Sequence, residues 1–181
     1  PECEYSPILI PTGNSQAYRL TKVADGVLFD IRGNGIPLRM AWTRADVQLA
    51  FLALDRNGNG VIDNGTELFG DKTLPGVGNG FLALDQIAPN SGDGKIDAAD
   101  EVFSQLLLWT DRNHNGISEA SELQPASDVL EAIGLGYFYA ERRDGAGNEF
   151  RYRGWARHVG EGAQFAREFK VYDVFLKSSA Q

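Results

Sequence analysis

The sequence has a single cysteine, Cys3, which excludes an internal disulfide framework. Its only two histidines, His114 and His158, argue against a zinc site built from cysteine and histidine. No run approaches the roughly 20 apolar residues of a membrane-spanning helix, and the N-terminus lacks a signal-peptide pattern. Phosphate-binding glycine loops, nucleophile elbows and H-E-x-x-H motifs are also absent. What remains is a globular chain without a conventional catalytic signature.

Charge of one sign is concentrated in the middle of the 181 residues. The net charge is -8, and residues 55–122 hold twelve acids against four bases, while acids and bases balance elsewhere. The whole acidic excess therefore lies in this segment. Unneutralised carboxylates repel one another, so we expect the segment to bind cations and to be loosened or unfolded without them. Nucleic acid is a poor partner for such a chain.

Residues 111–122, which we call loop C, read Asp-Arg-Asn-His-Asn-Gly-Ile-Ser-Glu-Ala-Ser-Glu. Oxygen-bearing side chains fall at positions 1, 3, 5, 9 and 12, with Gly116 at position 6 to permit the sharp bend. This is the spacing by which a twelve-residue loop wraps Ca²⁺. The predicted ligands are Asp111, Asn113, Asn115, the carbonyl of Ile117, Glu119 and a bidentate Glu122.

Residues 55–67, which we call loop A, follow the same spacing until its end. The closing acid then stands at position 13 instead of 12, and we expect Gly65 to absorb the extra residue. The predicted calcium ligands are Asp55, Asn57, Asn59, the carbonyl of Val61, Asp63 and Glu67. The alternative for this segment is a turn rich in asparagine and glycine.

A third candidate, loop B, covers residues 85–100 and is interrupted by the insertion 86–90. Positions 5, 7, 9 and 12 of the template correspond to Asp93, the carbonyl of Lys95, Asp97 and Asp100, with Asp85 reaching in from beyond the insertion. The segment Asp30–Gly35 has a similar outline, but Arg32 places a cation where a ligand belongs, so we interpret it as a turn or a decayed calcium site. Two or three calcium ions are expected in total.

The apolar pattern predicts an α+β fold with EF-hand-like calcium loops and short helices in its middle. A hairpin is expected from 16–22 and 27–31, turned at Asp25-Gly26, within an N-terminal segment 1–42. The segment 43–133 is expected to be mainly helical, with helices at 43–54, 97–108 and 127–133. Antiparallel strands at 137–143, 149–155 and 171–176 are expected in a C-terminal segment 134–181. We treat the whole chain, 1–181, as one module.

Two phrases of the sequence are similar to those of a known family. They are Leu54-Asp-Arg-Asn-Gly-Asn-Gly-Val-Ile-Asp-Asn-Gly-Thr-Glu-Leu-Phe-Gly-Asp71 and Gly94-Lys-Ile-Asp-Ala-Ala-Asp100. The chain also begins at Pro1, as expected for a fragment released by cutting the bond before a proline. In these features it resembles the self-processing module of FrpC-type RTX (repeat-in-toxin) proteins, which Gram-negative bacteria secrete.

The resemblance implies a calcium-dependent autocatalytic reaction, so that Ca²⁺ is the expected cofactor. The module would cleave an Asp-Pro bond immediately before Pro1, with the proline nitrogen as leaving group and the nucleophilic aspartate upstream of this chain. The aspartyl anhydride formed could be captured by a lysine amine of an acceptor protein, giving an Asp-Lys isopeptide bond. The implied partners are therefore the upstream segment and lysine-bearing proteins, and the implied location is extracellular, with the export signal outside this chain.

The chemically able groups that could assist cleavage are Arg142, Arg143, Tyr5 and Tyr18, and the sequence does not choose among them. The alternative function is a non-catalytic calcium-binding spacer or adhesion module of a secreted bacterial protein. Extending the chain upstream of Pro1 and adding calcium distinguishes the two.

Overall fold

The computed structural model describes residues 3–87, 91–160 and 167–180, and strands predominate among them. The strands in this part of the chain are β1 (Cys3–Tyr5), β2 (Ile8–Pro11), β3 (Val27–Phe29), β4 (Leu38–Met40), β5 (Leu49–Ala53), β6 (Lys95–Asp97), β7 (Leu107–Trp109), β8 (Leu123–Pro125), β9 (Leu130–Gly134), β10 (Phe138–Arg143), β11 (Glu149–His158) and β12 (Glu168–Ser178). The α-helix is α1 (Gly80–Ile87). Short 3₁₀ helices lie at Val23–Asp25, Gly65–Glu67, Glu101–Gln105, Ala120–Glu122 and Ala126–Asp128.

One antiparallel sheet connects these strands, with β12 at its centre. The main path through the sheet runs β6-β9-β11-β12-β2-β5-β7-β8. Besides β11 and β2, β12 also pairs with β1 and, at Ser178, with β4. The sheet therefore takes strands from the N-terminal, middle and C-terminal segments of the chain.

Both faces of the sheet are covered by apolar side chains. In β5, Ala50 and Leu52 belong to one buried cluster, together with Phe81 of α1. Phe51 faces the opposite cluster, together with Trp42 and Trp109. Because successive side chains of a strand point to opposite faces, a strand covered on both sides is apolar at every position. Full burial of one large apolar side chain contributes roughly 2–3 kcal/mol.

The α+β prediction with an EF-hand-like helical middle is wrong, and double-sided burial explains the error. The predicted helix 43–54 contains β5, whose five residues are all buried. The predicted helix 97–108 contains a 3₁₀ helix between the end of β6 and the start of β7, and 127–133 contains a 3₁₀ helix followed by β9. A short, continuously apolar run has neither the two-residue nor the 3.6-residue period, so its pattern alone does not distinguish strand from helix.

The predicted N-terminal hairpin is wrong, because the strand at 27–31 pairs with a different segment of the chain from the one expected. β3 pairs with β4, and residues 16–22 contribute only an isolated bridge between Leu20 and Thr43. The connection between β3 and β4 contains the segment Asp30–Gly35, where the Asp30 carboxylate accepts hydrogen bonds from the backbone N–H groups of Asn34 and Gly35. The segment therefore forms a turn, which agrees with both interpretations given to it, a turn or a decayed calcium site.

The predicted C-terminal strands are confirmed by β10, β11 and β12. β10 pairs with β11, and β11 with β12, in antiparallel register. No helix in the described residues is long and apolar enough to cross a membrane.

Candidate calcium loops and the N-terminal strand

Loop C joins two strands of the sheet, so it sits in a β-hairpin and is not flanked by helices. β7 ends at Trp109, β8 begins at Leu123, and these two residues are cross-strand partners. The backbone N–H of Thr110 donates to the carbonyl of Glu122 at 3.0 Å, which closes the base of the loop. The first and last predicted ligands, Asp111 and Glu122, are therefore brought side by side.

The acids at the two ends of loop C are buried against the aromatic core. Asp111 Oδ2 accepts hydrogen bonds from Trp42 Nε1 and the Gly116 N–H, both at 2.8 Å. Glu122 Oε2 accepts from Trp109 Nε1 at 3.2 Å, and its Oε1 from the Arg112 N–H at 2.8 Å. The loop is thereby fixed to the two buried indoles. The loop spacing identified the acids, but the position of Trp109 just before the loop was the only sequence signal for these indole partners.

Three further predicted ligands of loop C converge on one point. Asn113 Nδ2 and Asn115 Nδ2 both donate to Glu119 Oε1, at 3.1 and 2.7 Å. These bonds, from Asn115 first and then from Asn113, lower the pKa of Glu119. The other oxygen, Glu119 Oε2, is buried and has no hydrogen-bond partner within the described residues. An unpartnered carboxylate oxygen beside two carboxamides is a donor set that fits a hard cation.

Loop A repeats this arrangement after β5. Asn57 Nδ2 and Asn59 Nδ2 both donate to Asp63 Oδ2 at 2.8 Å. Asp55 accepts from the N–H groups of its own loop, at 2.8 Å from Gly60. The Asn oxygens already accept from the N–H two residues on, as Asn59 does from Val61 at 3.1 Å. A carboxamide oxygen has a second lone pair, which remains available to a cation.

Glu67 closes loop A although it stands one position late. Its buried carboxylate accepts from the Arg56 N–H at 3.1 Å and the Asp63 N–H at 2.7 Å. The extra residue is taken up by the 3₁₀ helix Gly65–Glu67. At Gly65 a side chain would collide with the backbone carbonyl of Ile31, because a Cβ would lie 1.8 Å from that oxygen. Gly65 thus lets the chain turn tightly enough to bring Glu67 back into the loop.

Loops A and C lie against each other through their eighth residues. The backbone N–H of Ile62 donates to Ser118 Oγ at 2.7 Å, and the Ser118 hydroxyl reaches the Ile62 carbonyl at 3.3 Å. Both side chains are buried. The structure therefore brings the predicted site residues of two loops that are 56 positions apart into one unit.

Loop B differs from the other two loops because a lysine ammonium lies between two of its predicted ligand carboxylates. The Lys95 ammonium pairs with Asp93 and also with Asp97, the latter at 3.0 Å. Asp100 closes the loop by accepting from the N–H groups of Ser91 at 2.7 Å and Asp97 at 2.9 Å. Asp85 lies on α1, before residues 88–90, which are outside the described part of the chain.

His, Cys, Asp and Glu, the side chains that most commonly bind metals, do not form a complete site by themselves in the described residues. No three His, Cys, Asp or Glu side chains in residues 3–87, 91–160 and 167–180 form a group that could hold a metal ion. The remaining oxygens of loops A and C would have to come from asparagine side chains and backbone carbonyls, which are ordinary ligands of Ca²⁺.

The predicted leaving-group residue, Pro1, lies outside the described residues. Of the groups named as able to assist cleavage, Tyr5 is in β1, and Arg143 of β10 contacts Glu4 of β1 at 2.9 Å. Tyr18 donates instead to the Leu9 carbonyl at 3.1 Å, and burial raises its pKa. Arg142 stacks on Phe150. Tyr5 and Arg143 are therefore the two candidates that belong to the N-terminal strand and its contacts.

A buried acid that the sequence pattern did not single out lies at the centre of the sheet. Asp173 of β12 is fully buried, and its Oδ2 accepts from the Gly80 N–H at the start of α1, at 3.0 Å. Its Oδ1 has no partner among the described residues. Burial raises the pKa of Asp173 to about 7. The carboxyl group is thus stabilised in its protonated form.

These features define a class: a β-sheet module with acidic Asp/Asn/Gly loops set between its strands. Residues 14–172 match the family model of the SPM domain, and the chain belongs to this family. It is also 41% identical, over 134 residues, to the iron-regulated protein FrpA of Neisseria meningitidis serogroup C. That alignment covers 71% of this chain and 12% of the relative, so the chain spans only a small part of that protein. The resemblance to a self-processing module of RTX proteins is confirmed.

Proposed function

We propose that this module cleaves the Asp-Pro bond immediately before Pro1 in a calcium-dependent, single-turnover reaction. The observation that carries the proposal is membership of the SPM family over residues 14–172. The geometry of loops A and C supports the calcium dependence. In both loops a buried glutamate closes the chain on itself, and two asparagines surround the acid at position 9.

The reaction needs no nucleophile from the described residues. A carboxylate oxygen of the aspartate before Pro1 attacks the backbone carbonyl carbon of the same residue and closes a five-membered anhydride. The carbon–nitrogen bond to Pro1 breaks, and the proline nitrogen leaves with a proton. Such an intramolecular attack has a high effective molarity when the geometry is held. Water then opens the anhydride to two carboxylic acids, or a lysine amine opens it to an Asp-Lys isopeptide bond and one free carboxylate.

The role proposed for the loops is structural. Bound Ca²⁺ would neutralise their carboxylates and join the two ends of each loop. Asp111 and Glu122 transmit the order of loop C to the core through Trp42 and Trp109, while Ser118 connects loop C to loop A. Loops rich in asparagine carry less charge than all-aspartate loops, so we expect dissociation constants of about 10⁻⁴ M, in the range of extracellular modules. Export to such calcium concentrations would then start the reaction.

The test of the proposed reaction is a chain extended upstream by a segment that ends in Asp before Pro1. On addition of millimolar calcium, mass spectrometry should find a fragment beginning at Pro1 and, when a lysine peptide is supplied, an adduct on the upstream fragment that has lost one water. A chelator or replacement of that Asp by Asn should prevent both products. An extended chain that binds calcium and stays intact would support the spacer or adhesion function instead.

Loop B offers a test of how calcium binding depends on local charge. In Lys95→Met the aliphatic stem is kept and the ammonium between Asp93 and Asp97 is removed. We expect the calcium affinity of loop B to rise by about tenfold, because an ammonium a few ångströms away repels a divalent ion by roughly 1–2 kcal/mol even in water. Isothermal titration calorimetry should show the gain as stronger binding or an additional ion.

The matched control for this variant is Lys72→Met. Lys72 pairs with Asp71 at 2.9 Å and lies outside the three loops. Its replacement should leave the calcium isotherm unchanged. An identical isotherm for Lys95→Met and the parent protein would contradict the competition between the lysine and calcium.

A further inference from the structure

The strand that leads away from Pro1 has few partners. β1 contains Cys3–Tyr5, and its strand partner in the described part of the chain is β12. Its three residues are only half-buried, in contrast to the fully buried β2. The Ser178 hydroxyl donates to the Cys3 carbonyl at 3.3 Å. A strand of this length, paired along one edge and without a buried core residue, needs further interactions to stay in place.

Charged side chains supply those interactions at Glu4. Glu4 Oε1 is 2.9 Å from Arg143 of β10 and 2.6 Å from Lys177 of β12, and Glu4 Oε2 is 2.8 Å from Arg151 of β11. Three neighbouring strands thus each direct a cation at one carboxylate of β1. Burial alone would raise the pKa of Glu4, but hydrogen bonds from Lys177 and Arg143 lower it below its ordinary value.

The cations that hold Glu4 are themselves fixed. Glu149 of β11 pairs with Arg143 at 3.2 Å and with Arg151 at 2.5 Å, and its side chain is only 7% exposed. The Arg151 guanidinium also lies 3.6 Å from the centre of the Phe175 ring. An isolated surface ion pair contributes little, but a partly buried network with several charge-assisted hydrogen bonds is stronger and directional. We call Glu4, Glu149, Arg143, Arg151 and Lys177 the Glu4 clamp.

We propose that Glu4 is a positioning residue for the processing reaction and acts through the Glu4 clamp. This inference rests on the proposed function. Glu4 is the third residue after Pro1, so the clamp fixes the main chain within about 10 Å of the reacting bond. Attack of a side chain on its own backbone carbonyl requires a narrow range of backbone angles, and a displacement of about 1 Å costs on the order of a hundredfold in rate. The clamp reduces the freedom of the chain on the proline side of that bond.

The experiment compares Glu4→Gln with Glu168→Gln in the extended chain, at saturating calcium. Glu168 is on β12, the partner strand of β1, and pairs with Arg157 at 2.9 Å, but it lies at the end of β12 away from β1 and is exposed. We expect Glu4→Gln to cleave about 10- to 100-fold more slowly than the parent. Its calcium midpoint and circular dichroism should stay close to those of the parent, and Glu168→Gln should cleave at the parental rate.

Two further measurements separate positioning from a general loss of structure. Hydrogen exchange at Cys3–Tyr5 should become faster in Glu4→Gln, while exchange in β5 and β11 stays unchanged. High salt should slow cleavage by the parent more than cleavage by Glu4→Gln. Salt screens the ion pairs of Glu4 in the parent, and these ion pairs are absent from the variant. Should Glu4→Gln fail to fold, Lys177→Met removes one cation of the clamp and should slow cleavage about two- to fivefold.

The outcomes distinguish the two proposals. A parent chain that stays intact overturns the proposed function itself. A parent that cleaves while Glu4→Gln cleaves equally fast overturns the clamp alone. A rate loss that only follows the unfolded fraction, with protection lost evenly across the sheet, also overturns it.

Discussion

Replacing Asp111 by asparagine is expected to destabilise the calcium-loaded module by about 2–4 kcal/mol, since buried charged hydrogen-bond groups are involved. Asp111 Oδ2 accepts from two donors, Trp42 Nε1 and the Gly116 N–H, and Oδ1 accepts from the Asn115 N–H at 3.1 Å. Whichever of the two oxygens the asparagine NH₂ group replaces, it faces an N–H donor. At least one buried N–H is then left without an acceptor. Urea unfolding followed by tryptophan fluorescence measures the loss.

The same substitution should weaken the response to calcium. Asp111 is the first predicted ligand of loop C and is only 1% exposed, so the substitution removes one full negative charge from a position that water does not reach. We expect the calcium midpoint to rise at least tenfold. The control is Asp46→Asn, an exposed acid paired with Arg44 at the surface, whose replacement should change stability by less than about 0.5 kcal/mol. A loss below about 1 kcal/mol for Asp111→Asn would show that loop C is not coupled to the core through Trp42.

Replacing Asp173 by asparagine is expected to give a module whose stability relative to the parent rises between about pH 4 and about pH 7. The folded protein retains the Asp173 proton up to about pH 7, whereas the unfolded chain releases it near the ordinary aspartate pKa of 3.8. Between these values the folded state binds more protons than the unfolded state, so the stability contributed by this group falls as pH rises through the window. Over roughly three pH units the difference amounts to about 4 kcal/mol as an upper limit.

The measurement is the difference in unfolding free energy between Asp173→Asn and the parent at several pH values. It should grow in favour of the variant from about pH 4 to about pH 7 and then level off. The charged groups that act on Asp173 are Asp71, which favours its protonation, and Arg151, which opposes it. The exposed Asp128→Asn serves as control and should show no such trend. A difference that is independent of pH would mean that Asp173 is ionised in the folded protein.

The acidic loops could be located from sequence because their hydrogen bonds are local. Asp55 bonds to the N–H groups of Gly58 and Gly60, three and five residues later, and Asp111 bonds in the same way to Asn115 and Gly116. Aspartate, asparagine and glycine at this spacing favour these turns through hydrogen bonds within the loop itself, so the loops can be recognised in the sequence. Whether the loops bind calcium stays a prediction.

The elements around the loops could not be predicted because their identity depends on distant partners. Leu49–Ala53 is a strand since β2 and β7 pair on either side of it and apolar layers cover both faces. The spacing of apolar residues within 49–53 contains no information about these neighbouring strands and layers. The same holds for single charges: Glu4 meets Lys177 across 173 positions, and Asp173 meets Gly80 across 93. A sequence pattern predicts the contacts of a residue only when the contacting residues are close to it in the sequence.

The central position of β12 has a consequence for how the protein is made. Its residues, 168–178, pair with β1, β2, β4 and β11. All four of these strands are synthesised before β12, so none of them can form this pairing until β12 has been made. Sheets closed by such distant pairings assemble slowly compared with structures built from neighbours. During synthesis local turns can form, but the pairing that holds β1 must remain incomplete until residues 168–178 have been made. Biosynthesis itself thus imposes a delay on maturation, independent of any ion.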